Sequence, residues 1–174
     1  LVKSSAASDV YKRQLLNKAS AIWTREKKDI SAEQYEEFYK QIGAGFNKPL
    51  LTLHNKVEGT LSYINLLFIP DSRPFDLFQM DVKSKIKLYS NRVLITDDSE
   101  SILPRWLRFV KGIVDTSDVD LNVSREMLQH NVTLNKISKA LKKRVINELK
   151  KLKDKDQEKY SSFWNEFGLS LIHI

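Results

Sequence analysis

Leu121-Asn-Val-Ser-Arg-Glu-Met-Leu-Gln-His-Asn131 divides the chain: strands and short helical segments come before it, and two long helices with apolar stripes follow. Ser124 is a good N-cap, so Arg125 and Glu126 begin a helix and Gln129 lies one turn along, above Arg125. Residues four apart share a helix face, which lets a guanidinium and an amide point at the oxygen atoms of one phosphate. The plainer alternative is a solvated first-turn arginine paired with its neighbour Glu126.

Upstream, Asp97-Asp-Ser-Glu100 supplies caps for a short helix through Leu107, Phe109–Val114 returns as a strand, and Asp115–Asp120 forms an acidic loop. Lys85–Thr96 is rich in β-formers but interrupted by Ser90-Asn-Arg92, which allows one long strand or a hairpin. Leu50–His54 and Gly59–Ile69 pair as strands around the turn residues Asn55–Gly59, and Pro70 closes the second of them. Ile64–Ile69 is apolar on nearly both faces, as a strand covered on two sides requires. Asp71–Phe78 contains Pro74 and is irregular, with Phe75, Leu77 and Phe78 against the core. Ser31 and Gln34 form a capping box for a helix that buries Tyr35, Phe38, Tyr39 and Ile42 and ends at Gly43-Ala-Gly45.

Downstream, Leu134, Ile137, Leu141, Val145, Leu149 and Leu152 recur every three or four residues along one long helix. A further helix carries Tyr160, Phe163, Trp164 and Phe167, with Gly168 as its stop. Strands and helices mixed in this order imply an α/β (α+β) sandwich followed by a helical segment.

The bulk composition narrows the function classes. With 174 residues and 41% hydrophobic composition, the chain has enough material for a full core. Its longest apolar run falls far short of the ~18 residues a membrane helix needs, and with no cysteine there are no disulfides or thiolate metal sites. His54, His130 and His173 lack metal-ligand spacing. No Gly-x-Ser-x-Gly elbow or phosphate loop is present, which argues against a stand-alone enzyme. The net charge of +7 is concentrated in Lys136–Lys155, where Lys136, Lys139, Lys142, Lys143, Arg144, Lys150, Lys151, Lys153 and Lys155 oppose Glu148 and Asp154. These residues fit a solvated helix face; a basic nucleic-acid-binding α/β module is the alternative, but it lacks interleaved aromatics and a base-reading motif.

Four landmarks come in order: Ala21-Ile-Trp-Thr-Arg25, Pro74-Phe-Asp-Leu-Phe78, Leu103-Pro-Arg-Trp-Leu-Arg-Phe-Val-Lys-Gly-Ile-Val-Asp115 and Asn122-Val-Ser-Arg-Glu-Met-Leu-Gln129. Together they resemble the middle segment of the ninety-kilodalton heat-shock chaperone family, and its bacterial HtpG branch above all. The likeness runs from Leu15 to Gly168. It departs from the commonest pattern at Asn91, where a basic residue is frequent, and at Leu94, where an aromatic one is.

The resemblance implies a mixed sheet between helical layers, related to the second domain of a small-subunit ribosomal protein, and it favours a single strand over Lys85–Thr96. It implies a fragment of an ATP-dependent chaperone in which Arg125 is catalytic and Arg125, Gln129 and Asn122 meet the terminal phosphate of ATP. ATP, with Mg2+, is held mainly by a separate N-terminal domain, and dimerisation lies in a C-terminal one. The partners implied are unfolded or partly folded clients and those two domains, with no membrane and no specific nucleic acid. The parent is then a cytoplasmic homodimer, and the fragment is monomeric and inactive alone. Trp23 has two readings, a half-buried anchor or a partly exposed client contact, and the usual burial of tryptophan favours the anchor. Residues 1–14 read as a non-native or disordered tail, 15–118 as the larger α/β sandwich, 119–168 as the Arg-bearing loop and helical segment, and 169–174 as a non-native tail. The second long helix is expected to pack on a part of the middle segment beyond this chain.

Overall fold

Tyr63-Ile-Asn-Leu-Leu-Phe-Ile-Pro70 is buried along its whole length apart from a partly covered Ile64. Successive strand side chains point to opposite faces, so such a segment needs cover on both sides, and the sheet around it has that cover. The computed structural model describes residues 21–45, 47–74, 77, 86–97, 102–121 and 124–172. Among them, five strands form one mixed sheet: β1 (Pro49–Val57), β2 (Tyr63–Pro70), β3 (Ile86–Ser90), β4 (Val93–Thr96) and β5 (Lys111–Thr116), in the spatial order β1-β2-β5-β3-β4. The pairing is antiparallel except between β3 and β5, where Leu88 lies beside Val114 in a parallel ladder.

The first face of the sheet presents Ile64, Leu66, Phe68 and Ile113 to a layer built from residues 22–44. Helix α1 (Ala32–Gln41) starts at the expected capping box, Ser31 with Gln34. It stops where Gly43 takes φ +69°, with Ala44 N–H bonded to Tyr39 O and Gly43 N–H to Lys40 O. Phe38 and Tyr39 set their rings 6.4 and 5.2 Å from Phe68. Ahead of α1, two 3₁₀ turns, Ile22–Thr24 and Lys27–Asp29, carry Trp23 into the same layer between Phe38 and Tyr89. At 2% exposure Trp23 offers no surface to an unfolded chain, so the client-contact reading gives way to that of a packing anchor. His54 of β1 ties this layer down. One ring nitrogen meets Trp23 O at 2.8 Å and the other meets the Tyr35 hydroxyl at 2.7 Å. Burial, opposed by the Trp23 carbonyl and aided by the Lys27 charge, lowers the pKa of the imidazole.

The second face holds the larger core. Helix α2 (Arg125–Gln129) is short; α3 (Val132–Lys155) buries all six residues of its apolar stripe, and α4 (Gln157–Ile172) packs beside it. Phe163 and Phe167 close on Phe109 at 5.6 and 4.7 Å. Helix α4 thus finds its cover within this chain, and of its aromatic stripe Trp164 is left 42% exposed. Gly168 does not stop it. The helix runs to Ile172, with Ser170 buried and bonded to Trp106 O at 2.9 Å and Leu171 on the core, while Leu169 and Ile172 are exposed, so the segment expected as a loose tail is in part packed helix.

Further expectations change among the described residues. Lys85–Thr96 is a hairpin, not a single strand: Asn91 and Arg92 take φ of 48° and 67°, the left-handed pair of a tight two-residue turn that asparagine tolerates well. The β1–β2 turn falls after Val57, so Asn55, Lys56 and Val57 remain in the strand. Strand β5 lies at 111–116, which takes Asp115 out of the acidic loop, and the helix before it is reduced among the described residues to a 3₁₀ turn, Arg105–Leu107. Leu77 is buried as expected, while residues 1–14, Phe75 and Phe78 lie outside the described residues.

Two outcomes follow from this packing. Gly112 sits in β5 at φ +141°, and a Cβ there would collide with the Leu66 carbonyl oxygen of β2. Gly112→Ala should therefore destabilise by about 3 kcal/mol or more, read as a shift of the urea midpoint. For His54, the unfolded chain takes up a proton near the ordinary value of 6.5 while the folded chain resists it. Stability should be fully present above that pH and decline as pH falls below it toward the lowered folded-state value, because there the unfolded state binds more protons. Denaturation midpoints from about pH 7 to 5 should fall, and His54→Gln should flatten the slope.

Candidate functional site

The segment between β5 and α2 leaves the sheet under restraint. Thr116 Oγ1 donates to Ser62 O at 2.8 Å and accepts from Asp118 N–H at 3.2 Å. Ser62 N–H donates to Asp118 Oδ2 at 3.0 Å. Val119 then buries its side chain in the second core, and its carbonyl accepts the Ser90 hydroxyl at 2.6 Å. The chain re-emerges at Leu121, which is 53% exposed.

Helix α2 begins as its sequence requires. Ser124 takes extended backbone angles, its Oγ accepts Met127 N–H at 3.3 Å, and its carbonyl accepts Leu128 N–H at 3.1 Å. Leu128 turns inward to the second core, leaving Glu126, Met127 and Gln129 in solvent. Asn131 follows almost at once, and its Oδ1 accepts Leu134 N–H at 3.0 Å to start α3. One buried leucine and two side-chain caps therefore orient a helix too short to be stable alone.

Arg125 and Gln129 are the first and last residues of α2, one turn apart. Gln129 is exposed; Asn122 and the side chain of Arg125 lie outside the described residues. Trp23 belongs to the opposite face of the sheet and takes no part in this site. Among the described residues no group of three or more His, Cys, Asp or Glu is placed to hold a metal ion, and no helix is long and apolar enough to cross a membrane. The basic residues Lys136, Lys139 and Lys143 lie on the exposed side of α3, where an open cleft of about 540 Å³ runs past Lys143, Arg144 and Tyr63.

Sequence reasoning passed over two buried polar groups. Asp115 accepts the Trp23 indole N–H at 2.8 Å and the Arg92 backbone N–H at 3.2 and 3.3 Å, joining the first layer to the β3–β4 turn. A buried indole needs an acceptor, and the two-residue period puts Asp115 on the face of Ile113, so the signal was present. Ser90 had only its place in a strand-breaking triplet to mark it.

The model of the Hsp90 protein family matches residues 2–173. The chain belongs to the Hsp90 family. It is 52% identical over 160 residues to the chaperone protein HtpG of Orientia tsutsugamushi, covering 92% of this chain and 25% of that relative. To HtpG of Paramagnetospirillum magneticum it is 53% identical over 155 residues, covering 89% and 25%. The middle domain of a putative heat shock protein from Plasmodium falciparum superposes with a TM-score of 0.74 at 32% identity, over 86% of this chain and 58% of that one. The chain spans about a quarter of the length of the curated relatives it matches. Its mixed sheet flanked by helices is the fold of an Hsp90 middle domain.

In this Hsp90 segment the cap on α2 is open to direct test. Ser124→Ala removes the acceptor for Met127 N–H and should cost about 1 kcal/mol, concentrated in α2. Hydrogen exchange at Met127 and Leu128 should accelerate while the β2 and β5 amides hold, and Ser124→Asp should restore protection.

Proposed function

We propose that this chain is the part of an ATP-driven chaperone that delivers Arg125 to the terminal phosphate of ATP bound in a separate N-terminal domain. The observation that carries this reading is the capped helix α2, with Arg125 in its first turn and Gln129 one turn later, in a chain about half identical to HtpG over nine-tenths of its length. ATP, with its Mg2+, supplies the transferable phosphoryl group. A guanidinium and an amide are suitable donors for phosphate oxygens. With no cluster of carboxylates among the described residues, the ion belongs with the nucleotide in the other domain.

Phosphoryl transfer depends on positioning and on charge stabilisation at the transferring oxygens. An arginine held outside the nucleotide pocket contributes only when the domains close, so turnover follows closure. Asn122 precedes the cap and is assigned to the same phosphate contact. Leu121, Met127 and Val132, exposed by 53, 61 and 66%, flank α2 with apolar surface suited to docking the nucleotide domain. The parent is then a cytoplasmic homodimer joined through a C-terminal domain and acting on unfolded or partly folded clients, and this segment alone is monomeric and does not hydrolyse ATP. The basic side of α3 serves as solvated surface.

The test uses a full-length relative, such as the HtpG of Orientia tsutsugamushi, in which this chain replaces the matching quarter. Arg125→Ala should lower ATP turnover by something on the order of ten- to a thousandfold with little change in nucleotide affinity, because the lost contact belongs to the transition state. Gln129→Ala should act in the same direction but less, and Arg125→Lys should not fully rescue, since a point charge lacks the planar fork. Intact turnover in a folded Arg125→Ala protein would return the arginine to a solvated first-turn residue.

A further inference from the structure

The loop that leads to Arg125 leaves the second core through one buried hydrogen bond. Ser90, the last residue of β3, is 1% exposed, and its hydroxyl donates to the Val119 carbonyl at 2.6 Å. Val119 is itself 2% exposed and lies beyond the end of β5, where no strand ladder offers its carbonyl a partner. A hydroxyl and a carbonyl both taken out of water are stable there only if they bond each other. Asp118, the neighbouring restraint, is exposed, and its bond to Ser62 N–H competes with water.

Helix α2 is fixed at its far end by Leu128 in the same core. In sequence the Arg125 backbone lies between two buried residues of this core, Val119 six positions before it and Leu128 three after. We propose that Ser90 is a positioning residue for Arg125: by holding the Val119 carbonyl, it sets where the loop departs from the sheet and hence where α2 presents the arginine. This inference rests on the role given to Arg125 above. A contact made only in the transition state depends steeply on placement, whereas nucleotide binding in another domain does not.

The experiment uses the same full-length chimera. Ser90→Thr and Ser90→Val have nearly the same shape and differ in the hydroxyl, so their difference reads the hydrogen bond with packing held constant. The valine variant should turn ATP over roughly tenfold more slowly than the threonine variant, at an unchanged KM for ATP. Amide exchange should rise across 119–128 and stay level in β2 and β5, which separates a displaced loop from a loosened fold. Adding Ser90→Val to Arg125→Ala should cost nothing further, because no arginine remains to be positioned. If Arg125→Ala slows turnover and the Thr and Val variants match, or if the double variant loses activity additively, Ser90 has no positioning role. If Arg125→Ala is itself silent, the reading of Arg125 fails first, and that result is separate from the comparison of Thr with Val.

Discussion

A strand apolar on both sides cannot rest against solvent, and β2 imposes that condition on everything around it. Its two faces bury Leu66 and Phe68 on one side and Leu67 and Ile69 on the other. At roughly 1.5–3 kcal/mol for each fully buried large aliphatic or aromatic side chain, leaving either side bare would forfeit about 3–6 kcal/mol from β2 alone, a large share of a domain's usual net stability. The chain meets the condition with two dissimilar layers. One is aromatic and built from the short stretch 22–44, and the other is aliphatic and built mainly on α3. Gly112 permits the close approach of β5 to β2 that lets a single ladder serve both.

The Arg-bearing turn is a product of the second layer. Five residues do not make a helix in water, so the orientation of α2 comes from what surrounds it: the Ser124 cap, the inward Leu128 and the immediate start of α3 at Asn131. The side exposed to solvent is then free to carry polar groups and a few apolar ones without any cost to the core.

Periodicity, caps and the β1–β2 pairing were legible in the sequence; the pairing of β5 with β2 and β3 was not. The six-residue stripe of α3, the capping box at Ser31, the Gly43 stop and the Ser124 cap all follow from local rules that involve neighbours within a turn or two. The hairpin at Asn91-Arg92 was open as an alternative, and the family likeness pointed the other way; backbone angles that a non-glycine residue rarely takes decided it. Gly168 misled because a glycine flanked by helix formers stays helical when its neighbours have a core to bury in, as Phe167 and Leu171 do. Of the site, the helix register of Arg125 and Gln129 was visible from Ser124 alone. The strand period put Asp115 on the face that needed an acceptor for a buried indole, but no local rule joined it to Trp23, 92 residues away, or Ser90 to Val119, 29 residues away.

The two layers share a sheet, but their buried side chains fall into separate clusters. The Trp23 layer holds on through the His54 ring and the Asp115 carboxylate in addition to its apolar contacts. Because the Asp115 carboxylate also accepts Arg92 N–H and lies near the end of β5, a displacement of the lead-in reaches both the β3–β4 turn and the strand from which the Arg125 segment departs.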